Sequence, residues 1–407
     1  MLAAYNIYSI RIFITGQFDS KLISSYLFST SEDIMRIGIT CYPTYGGSGV
    51  VATELGKALA SRGHSVHFIS YAMPMRLSGF QDNIVYHEVE MSNYPLFEFP
   101  LYTLALASKM VEVARYEKLD ILHCHYAVPH ATSAYLAKQI LRDTNIKIVT
   151  TLHGTDITLV GLEPSFLSIM KFSIEQSDGV TAVSRFLKEK TQTNYGIDKD
   201  IAVIPNFIDT AKYKRIPSDI FFVKCGAEGQ KVLAHTSNFR PVKRVPDVIR
   251  IFNEVQKKIP SILLLIGDGP DRSQCEILCR ELGIGDKVRF LGKQMEIVPL
   301  LSTADLFLMP SQSESFGLAA LEAMACEVPV ISSSVGGLPE LQVHGQTGFI
   351  AEIGDIDRMA RYAIDLLSNP VKHKMFAEAA RRRAEEFEST KIIPQYEEYY
   401  EKILSNP

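Results

Sequence analysis

No run of about 18 apolar residues occurs in the 407-residue chain, which excludes a helix that spans a bilayer. Neither sign of charge dominates. The 42 Lys and Arg against 46 Asp and Glu leave a net charge of -4, which gives no reason to expect nucleic acid or an anionic membrane as a partner. Cysteine is sparse: Cys41, Cys124, Cys225, Cys275, Cys279 and Cys326 stand in apolar or helical segments without a framework spacing. That excludes a disulfide scaffold and points to free thiols in a reducing cytoplasm. Residues 1–34 lack a clear apolar core followed by a small-residue cleavage site, so they do not read as a signal peptide. The expectation is an extension without function, with the working chain starting at or near Met35.

What is present is ordinary globular material, 46% apolar and 22% charged, and long enough for two domains. From Met35 the pattern runs strand (Arg36 to Thr40), glycine-rich loop (Y-P-T-Y-G-G-S-G), helix (Val50 to Ala60) and strand (Val66 to Ser70), a βαβ unit of a parallel sheet. Gly47 to Ala52 satisfies the dinucleotide fingerprint. Extra residues between strand and glycines, and the absence of an acid after Ser70-Tyr71, argue against a nicotinamide cofactor. The glycines instead suit backbone amides that approach a phosphate or an acceptor, with the Ser48 hydroxyl beside them. Strands Leu119 to His125 and Lys147 to Leu152 end in H-C-H-Y and T-T-L-H-G-T-D. Ligands gather at such strand ends in open parallel sheets, so these and the glycine loop should face one cleft. His123, His125 and His153 have no acid at ligand spacing beside them, so they do not read as a metal site.

A second alternating series begins at Lys231, which puts the boundary near 206–215. It holds two charged constellations. The first is S-N-F-R-P-V-K-R from Ser237, with three cations in five positions at a strand end, a plausible clamp for a diphosphate. The second is P-S-Q-S-E-S-F-G-L-A-A-L-E-A-M-A-C from Pro310, a strand feeding a helix through a Ser/Gly loop. Unpaired amides of Phe316, Gly317 and Leu318 at that helix start can hold a diphosphate. Glu314 and Glu322 stand roughly 9 Å apart along the axis, a spacing that suits one carboxylate to each end of a sugar nucleotide.

These residues, followed by G-G-L-P-E and H-G-Q-T-G-F, resemble the signature of the family-4 retaining glycosyltransferases. The resemblance runs from Met35 onward. It implies the GT-B fold: an α/β protein of two Rossmann-like, doubly wound parallel-sheet domains facing a central cleft. Residues 35–208 would then form the acceptor domain, residues 209–389 the donor domain, and a terminal helix (390–404) would cross back to the first. Within the family, M-R-I-G-I-T-C-Y-P-T-Y-G-G-S-G-V-V-A-T-E-L-G, L-D-I-L-H-C-H-Y-A-V-P-H-A and K-I-V-T-T-L-H-G-T-D-I-T resemble the branch that opens bacillithiol synthesis. That implies UDP-N-acetylglucosamine as donor and L-malate as acceptor, with no cofactor and no essential metal.

The resemblance also implies roles. Lys243 and Arg240 would stabilise the leaving diphosphate with the amides of Phe316, Gly317 and Leu318. Asn238 stands where related enzymes carry an arginine, and Arg240 supplies the missing charge. Glu314 would orient the sugar's 3- and 4-hydroxyls, His153 its 6-hydroxyl, and Glu322 the ribose, with Gly47 beside the donor. Ser48, Tyr126, Thr151 and Lys171 are the candidates for the acceptor. Rival readings are another small acceptor or donor sugar, a lipid acceptor, a sugar-nucleotide epimerase or hydrolase, and a non-catalytic sensor. No dense basic cluster in the first half favours an inositol phosphate, and the apolar stretch Tyr94 to Met110 carries a single cation, Lys109. Homo-oligomerisation is left open by the sequence.

Overall fold

A computed structural model describes residues 34–44, 46–77, 79–91, 101–158, 163–217 and 229–406. The expectations for residues 1–33, for Cys225 and for the start of the Tyr94 to Met110 stretch lie outside the described residues.

Two sheets are built from the two alternating series. The first takes β1 (Arg36–Thr40), β2 (Ser65–Ser70), β3 (Ile84–Glu88), β4 (Ile121–His125), β5 (Lys147–Leu152), β6 (Gly179–Ala182) and β7 (Ala202–Val203) in the order β3-β2-β1-β4-β5-β6-β7. The second takes β8 (Lys231–Ser237), β9 (Ser261–Gly267), β10 (Val288–Gly292), β11 (Leu306–Met309), β12 (Val330–Ser333) and β13 (Gly348–Ala351) in the order β10-β9-β8-β11-β12-β13. Every strand pairing is parallel. Parallel sheets need helices on both faces, which explains why their central strands read as continuous apolar runs such as S-I-L-L-L-I-G. Each fully buried Ile, Leu or Phe of these runs contributes roughly 1.5–3 kcal/mol relative to exposure.

Both strand orders reverse direction once, between β1 and β4 in the first sheet and between β8 and β11 in the second. At such a reversal the flanking loops diverge and leave a crevice beyond the carboxyl ends of the strands. The loops that follow these four strands carry the glycines, Tyr126, the basic cluster and Glu314. Topology therefore brings them towards one place.

The terminal helix Ser389–Ser405 crosses to the first sheet, as the family resemblance implies. Its Ile392, Ile393, Tyr396, Tyr400 and Ile403 join Ile37, Leu55, Ile121 and Val149 in one buried apolar cluster. Polar contacts fix its position. Arg62 Nε and His64 Nε2 meet Glu397 Oε1 at 2.6 and 3.1 Å, and the Tyr400 hydroxyl meets His123 Nδ1 at 2.7 Å. The five described cysteines are buried free thiols. Among the described residues no helix is long and apolar enough to cross a membrane.

Candidate active site

The cleft has a volume of about 910 Å³, within the range of small-molecule sites. Its second-sheet wall begins at the loop after β8. Lys243 ends a single 3-10 turn, Pro241–Lys243, and its ammonium reaches Glu314 Oε1 at 2.6 Å. Ser311 Oγ donates to the same carboxylate oxygen at 2.8 Å, and the Gln312 amide donates to the Val242 carbonyl at 2.8 Å. The two loops are thus stitched together, which holds the ion pair in one geometry. Glu314 is only 9% exposed, so its charge is held by these partners rather than by water.

The helix after Glu314 runs Leu318–Ala325, with Gly317 at its N-cap, two residues later than the sequence suggests. Its first-turn amides have no partner within the helix, and Phe316, Gly317 and Leu318 all line the cleft. Glu322 accepts from the Tyr213 hydroxyl at 3.0 Å and pairs with Arg76 at 3.4 Å. Burial pushes its carboxyl pKa up, against the pull of Arg76 and Tyr213.

The opposite wall is the end of the first sheet. The helix after β1 runs Gly47–Ser61, so the glycines open its first turn rather than lying in a loop before it. A Cβ at Gly49 would stand 2.5 Å from the Tyr42 carbonyl oxygen, so glycine there lets the helix pack on its own entry loop. Ser48 Oγ and the Tyr126 hydroxyl are 2.9 Å apart, and both residues line the cleft. Tyr126 has φ +103°, a conformation rare for a residue with a side chain and found where surroundings over-determine it. Burial pushes its phenol up to about 12, so it acts as a neutral hydroxyl.

Four cleft-lining residues carry a buried polar atom without a partner: Asn206 Oδ1, Thr236 Oγ1, Asn238 Oδ1 and Arg240 Nε. Unpaired buried polar atoms are costly, so their concentration here marks a surface shaped for a polar ligand.

Two expected acceptor residues do not belong to this wall. Thr151 is fully buried and its hydroxyl lies 2.7 Å from both His123 Nε2 and Thr181 Oγ1. Depth along the strand is the reason: residue 151 still lies within β5 beneath the crossing helix, whereas His153, of the same parity, lies past the strand end and lines the cleft. Lys171 lies on the helix Leu167–Gln176, donates to the Gly196 carbonyl at 3.0 Å and pairs with Glu175, and it does not reach the site. His153, Gly47, Asn238 and Arg240 line the cleft with Lys243 and Glu314.

Other contributors escaped sequence reading. Arg76 and Tyr213 converge on Glu322 from distant parts of the chain. Asp156 belongs to the quoted H-G-T-D segment, and its acid in a strand-end polar cluster was the available signal. It lines the cleft and accepts from the Gly154 amide at 2.9 Å, and burial raises its carboxyl to about 6 against those amide contacts.

The cleft's two walls also touch directly. Ser184 Oγ donates to the Ser315 carbonyl at 2.6 Å. The Glu340 carboxylate, from the G-G-L-P-E segment, accepts from the amides of Arg185 and Phe186 at 3.0 and 2.9 Å. It thereby satisfies amides that open the helix Arg185–Tyr195, where a negative charge is favoured.

Buried neutral imidazoles cluster at the first sheet, with one more, His235, in β8 of the second. His125 Nδ1 meets His153 Nε2 at 2.8 Å and their rings stack. Burial pushes His123 and His153 down to about 3, and His130 and His235 down to about 4. Groups depressed on folding contribute stability that is present above the unfolded value of about 6.5 and lost as pH falls towards the folded values. Each histidine then removes about 1.4 kcal/mol per pH unit below 6.5. Asp156 acts in the opposite sense, because its raised carboxyl contributes stability that is lost as pH rises through about 6. Four histidines outweigh Asp156 and Glu322, whose carboxyl is likewise raised by burial. Urea unfolding at pH 5 should therefore show a clearly lower midpoint than at pH 7, and equal midpoints would exclude these buried neutral rings.

The chain matches the family model "Glycosyltransferase Family 4" over residues 45–212 and "Glycosyl transferases group 1" over residues 218–383. It is 50% identical over 372 residues to the N-acetyl-alpha-D-glucosaminyl L-malate synthase of Bacillus anthracis, covering 91% of this chain and 97% of that protein. Two solved structures share the fold. HepE of Anabaena, in complex with UDP and glucose, has a TM-score of 0.77 at 22% identity, covering 90% of this chain and 99% of that one. The sucrose-phosphate synthase of Thermosynechococcus elongatus has a TM-score of 0.76 at 20% identity, covering 92% and 100%. With two doubly wound parallel sheets, a cleft between their switch points and these matches along almost its whole described length, the chain belongs to the family-4, group-1 glycosyltransferases of the GT-B fold.

Proposed function

We propose that this enzyme transfers N-acetylglucosamine from UDP-N-acetylglucosamine to the hydroxyl of L-malate, with retention at the anomeric carbon, giving N-acetyl-α-D-glucosaminyl L-malate and UDP. The observation that carries the transferase site is the Lys243–Glu314 pair at the start of the Leu318–Ala325 helix, in the same cleft as Ser48 and Tyr126. The choice of substrates leans on the Bacillus anthracis relative.

In this reading the donor diphosphate lies against the amides of Phe316, Gly317 and Leu318, with Lys243 and Arg240 beside it and Asn238 and Gly47 close by. Charge that develops on the departing UDP meets donors already in place, so stabilising it needs little reorganisation. The leaving diphosphate accepts the acceptor's proton on the same face, and no protein nucleophile is required. Glu314 takes the sugar's 3- and 4-hydroxyls, neutral His153 the 6-hydroxyl, and Glu322 the ribose. Ser48 and Tyr126 present hydroxyls to the acceptor. The cations and helix amides supply the positive field, so the reading needs no metal and no cofactor.

The test is incubation with UDP-N-acetylglucosamine and a panel of hydroxy acids, following UDP release and glycosylated product together. L-malate alone should give rapid UDP formation matched by product. Equal turnover with lactate or glycerate rejects a dicarboxylate acceptor, and UDP release without acceptor consumption points to a hydrolase or epimerase.

A further inference from the structure

The sheet edge formed by β2 and β3 carries a cluster that the transfer reaction does not use. His67 lies in the middle of β2 and His87 near the end of β3, diagonal neighbours because His67 registers with Val85 and Ile69 with His87. Both therefore project from the same face of the sheet. His67 Nδ1 and His87 Nε2 are 3.0 Å apart, with nearly parallel rings. Glu117, the last residue of the helix Tyr102–Glu117, completes the group, with the three ligand-type atoms all within 4.8 Å of one another. None of the three lines the cleft.

We propose that His67, His87 and Glu117 form a binding site for a divalent transition-metal ion of the zinc type. Two imidazoles and one carboxylate are the donor set that such ions favour, with a fourth position left to water. A tetrahedral ion about 2.0–2.1 Å from each nitrogen holds the two nitrogens about 3.3–3.4 Å apart, so the pair needs to open by only a few tenths of an ångström. Glu117 is half-buried at a helix end, where its side chain can swing to the ion by rotation about its own bonds. Ser65 supplies the outer support: its hydroxyl lies 3.0 Å from His67 Nε2. When Nε2–H donates to that oxygen, the lone pair of Nδ1 is directed at the site, the arrangement that orients metal-bound histidines. With that tautomer of His67, and no ion bound, His87 Nε2–H donates to His67 Nδ1. On loading, that proton moves to His87 Nδ1, and both inward nitrogens become ligands.

The ion would tie the end of the helix Tyr102–Glu117 to the sheet edge, while Thr103 at the helix's other end borders the cleft. It would brace the first-sheet wall of the cleft without touching substrate. The inference is independent of which sugar or acceptor is used.

Full-length protein, stripped with a chelator, is titrated with ZnCl2 by calorimetry and with Co2+ by visible absorbance. One Zn2+ per chain is expected, displacing Co2+ whose spectrum reports a four-coordinate nitrogen and oxygen site, together with a Zn2+-dependent rise in thermal midpoint. His87→Ala and Glu117→Gln should each weaken binding at least tenfold and abolish that rise, while UDP release stays unchanged. Glu117→Gln alters a half-exposed helix end, so it remains informative if His87→Ala does not fold. Absence of saturable binding overturns the site. Equal affinity in wild type and Glu117→Gln, which marks an adventitious surface histidine, overturns it as well.

Discussion

Replacing Lys243 with alanine is expected to lower kcat for transfer by about 10²–10³-fold, the cost of deleting one preorganised donor to a developing negative charge. The ammonium sits 2.6 Å from Glu314 and lines the cleft, so it is already desolvated on one side. Glu314→Gln should cost a similar factor for two reasons. It removes the acceptor for the sugar's hydroxyls, and it frees Lys243 to leave its position. Because each member holds the other, the double variant should lose little more than either single one, a departure from additivity that a double-mutant cycle reads directly. Lys243→Arg keeps the charge but cannot reproduce a point contact with a forked group, so it should recover only part of the rate. A Lys243→Ala protein that folds and turns over within tenfold of wild type would remove the pair from the chemistry.

The second large effect is expected at a glycine. Gly154 sits between His153 and Asp156 with φ +112°, and a Cβ added there would stand 1.5 Å from Ser315 Oγ and 2.7 Å from Ser315 Cβ. The neighbour that must move is next to Glu314 itself. Gly154→Ala therefore forces the two cleft walls apart where they meet, and a shift of about 1 Å in the reacting groups can cost roughly a hundredfold in rate. Backbone strain is a separate matter. Gly63 has φ +101° with nothing within 4 Å, so Gly63→Ala introduces comparable strain without a clash. It should lower the thermal midpoint and leave kcat/KM near wild type, while Gly154→Ala should lower both. Equal kinetics for the two variants would mean that the contact with Ser315 does not set the spacing of the walls.

Much of the fold was legible because parallel strands buried on both faces leave unmistakable apolar runs, and because the loops after four of them hold the charged and glycine-rich clusters. Ser48, Tyr126 and His153 could be placed at one cleft because they follow strand ends of a parallel sheet, and Lys243 and Glu314 through the family resemblance; all five line the cleft. Thr151 was misread because sequence alone does not show that the crossing helix covers this end of β5, so that the cleft begins only at His153, past the strand. Lys171 was misread because a helix cation looks the same whether it faces a ligand or a neighbouring carbonyl. Arg76 and Tyr213 left no local trace at all: they reach Glu322 across 246 and 109 residues of chain. Glu340 was visible within the G-G-L-P-E segment, yet its partners, two backbone amides of another helix, have no side-chain signature.

The crossing helix Ser389–Ser405 bears on how the polypeptide matures during synthesis. Ile37, Leu55, Ile121 and Val149 leave the ribosome before the second sheet is made, yet residues that cover them, Tyr396 and Tyr400 among them, are made after it. Translation of residues 205–388 intervenes, occupying roughly 10–40 s at about 5–20 residues per second. During that interval this face of the nascent first sheet stays apolar and accessible until the crossing helix swings back to seal it.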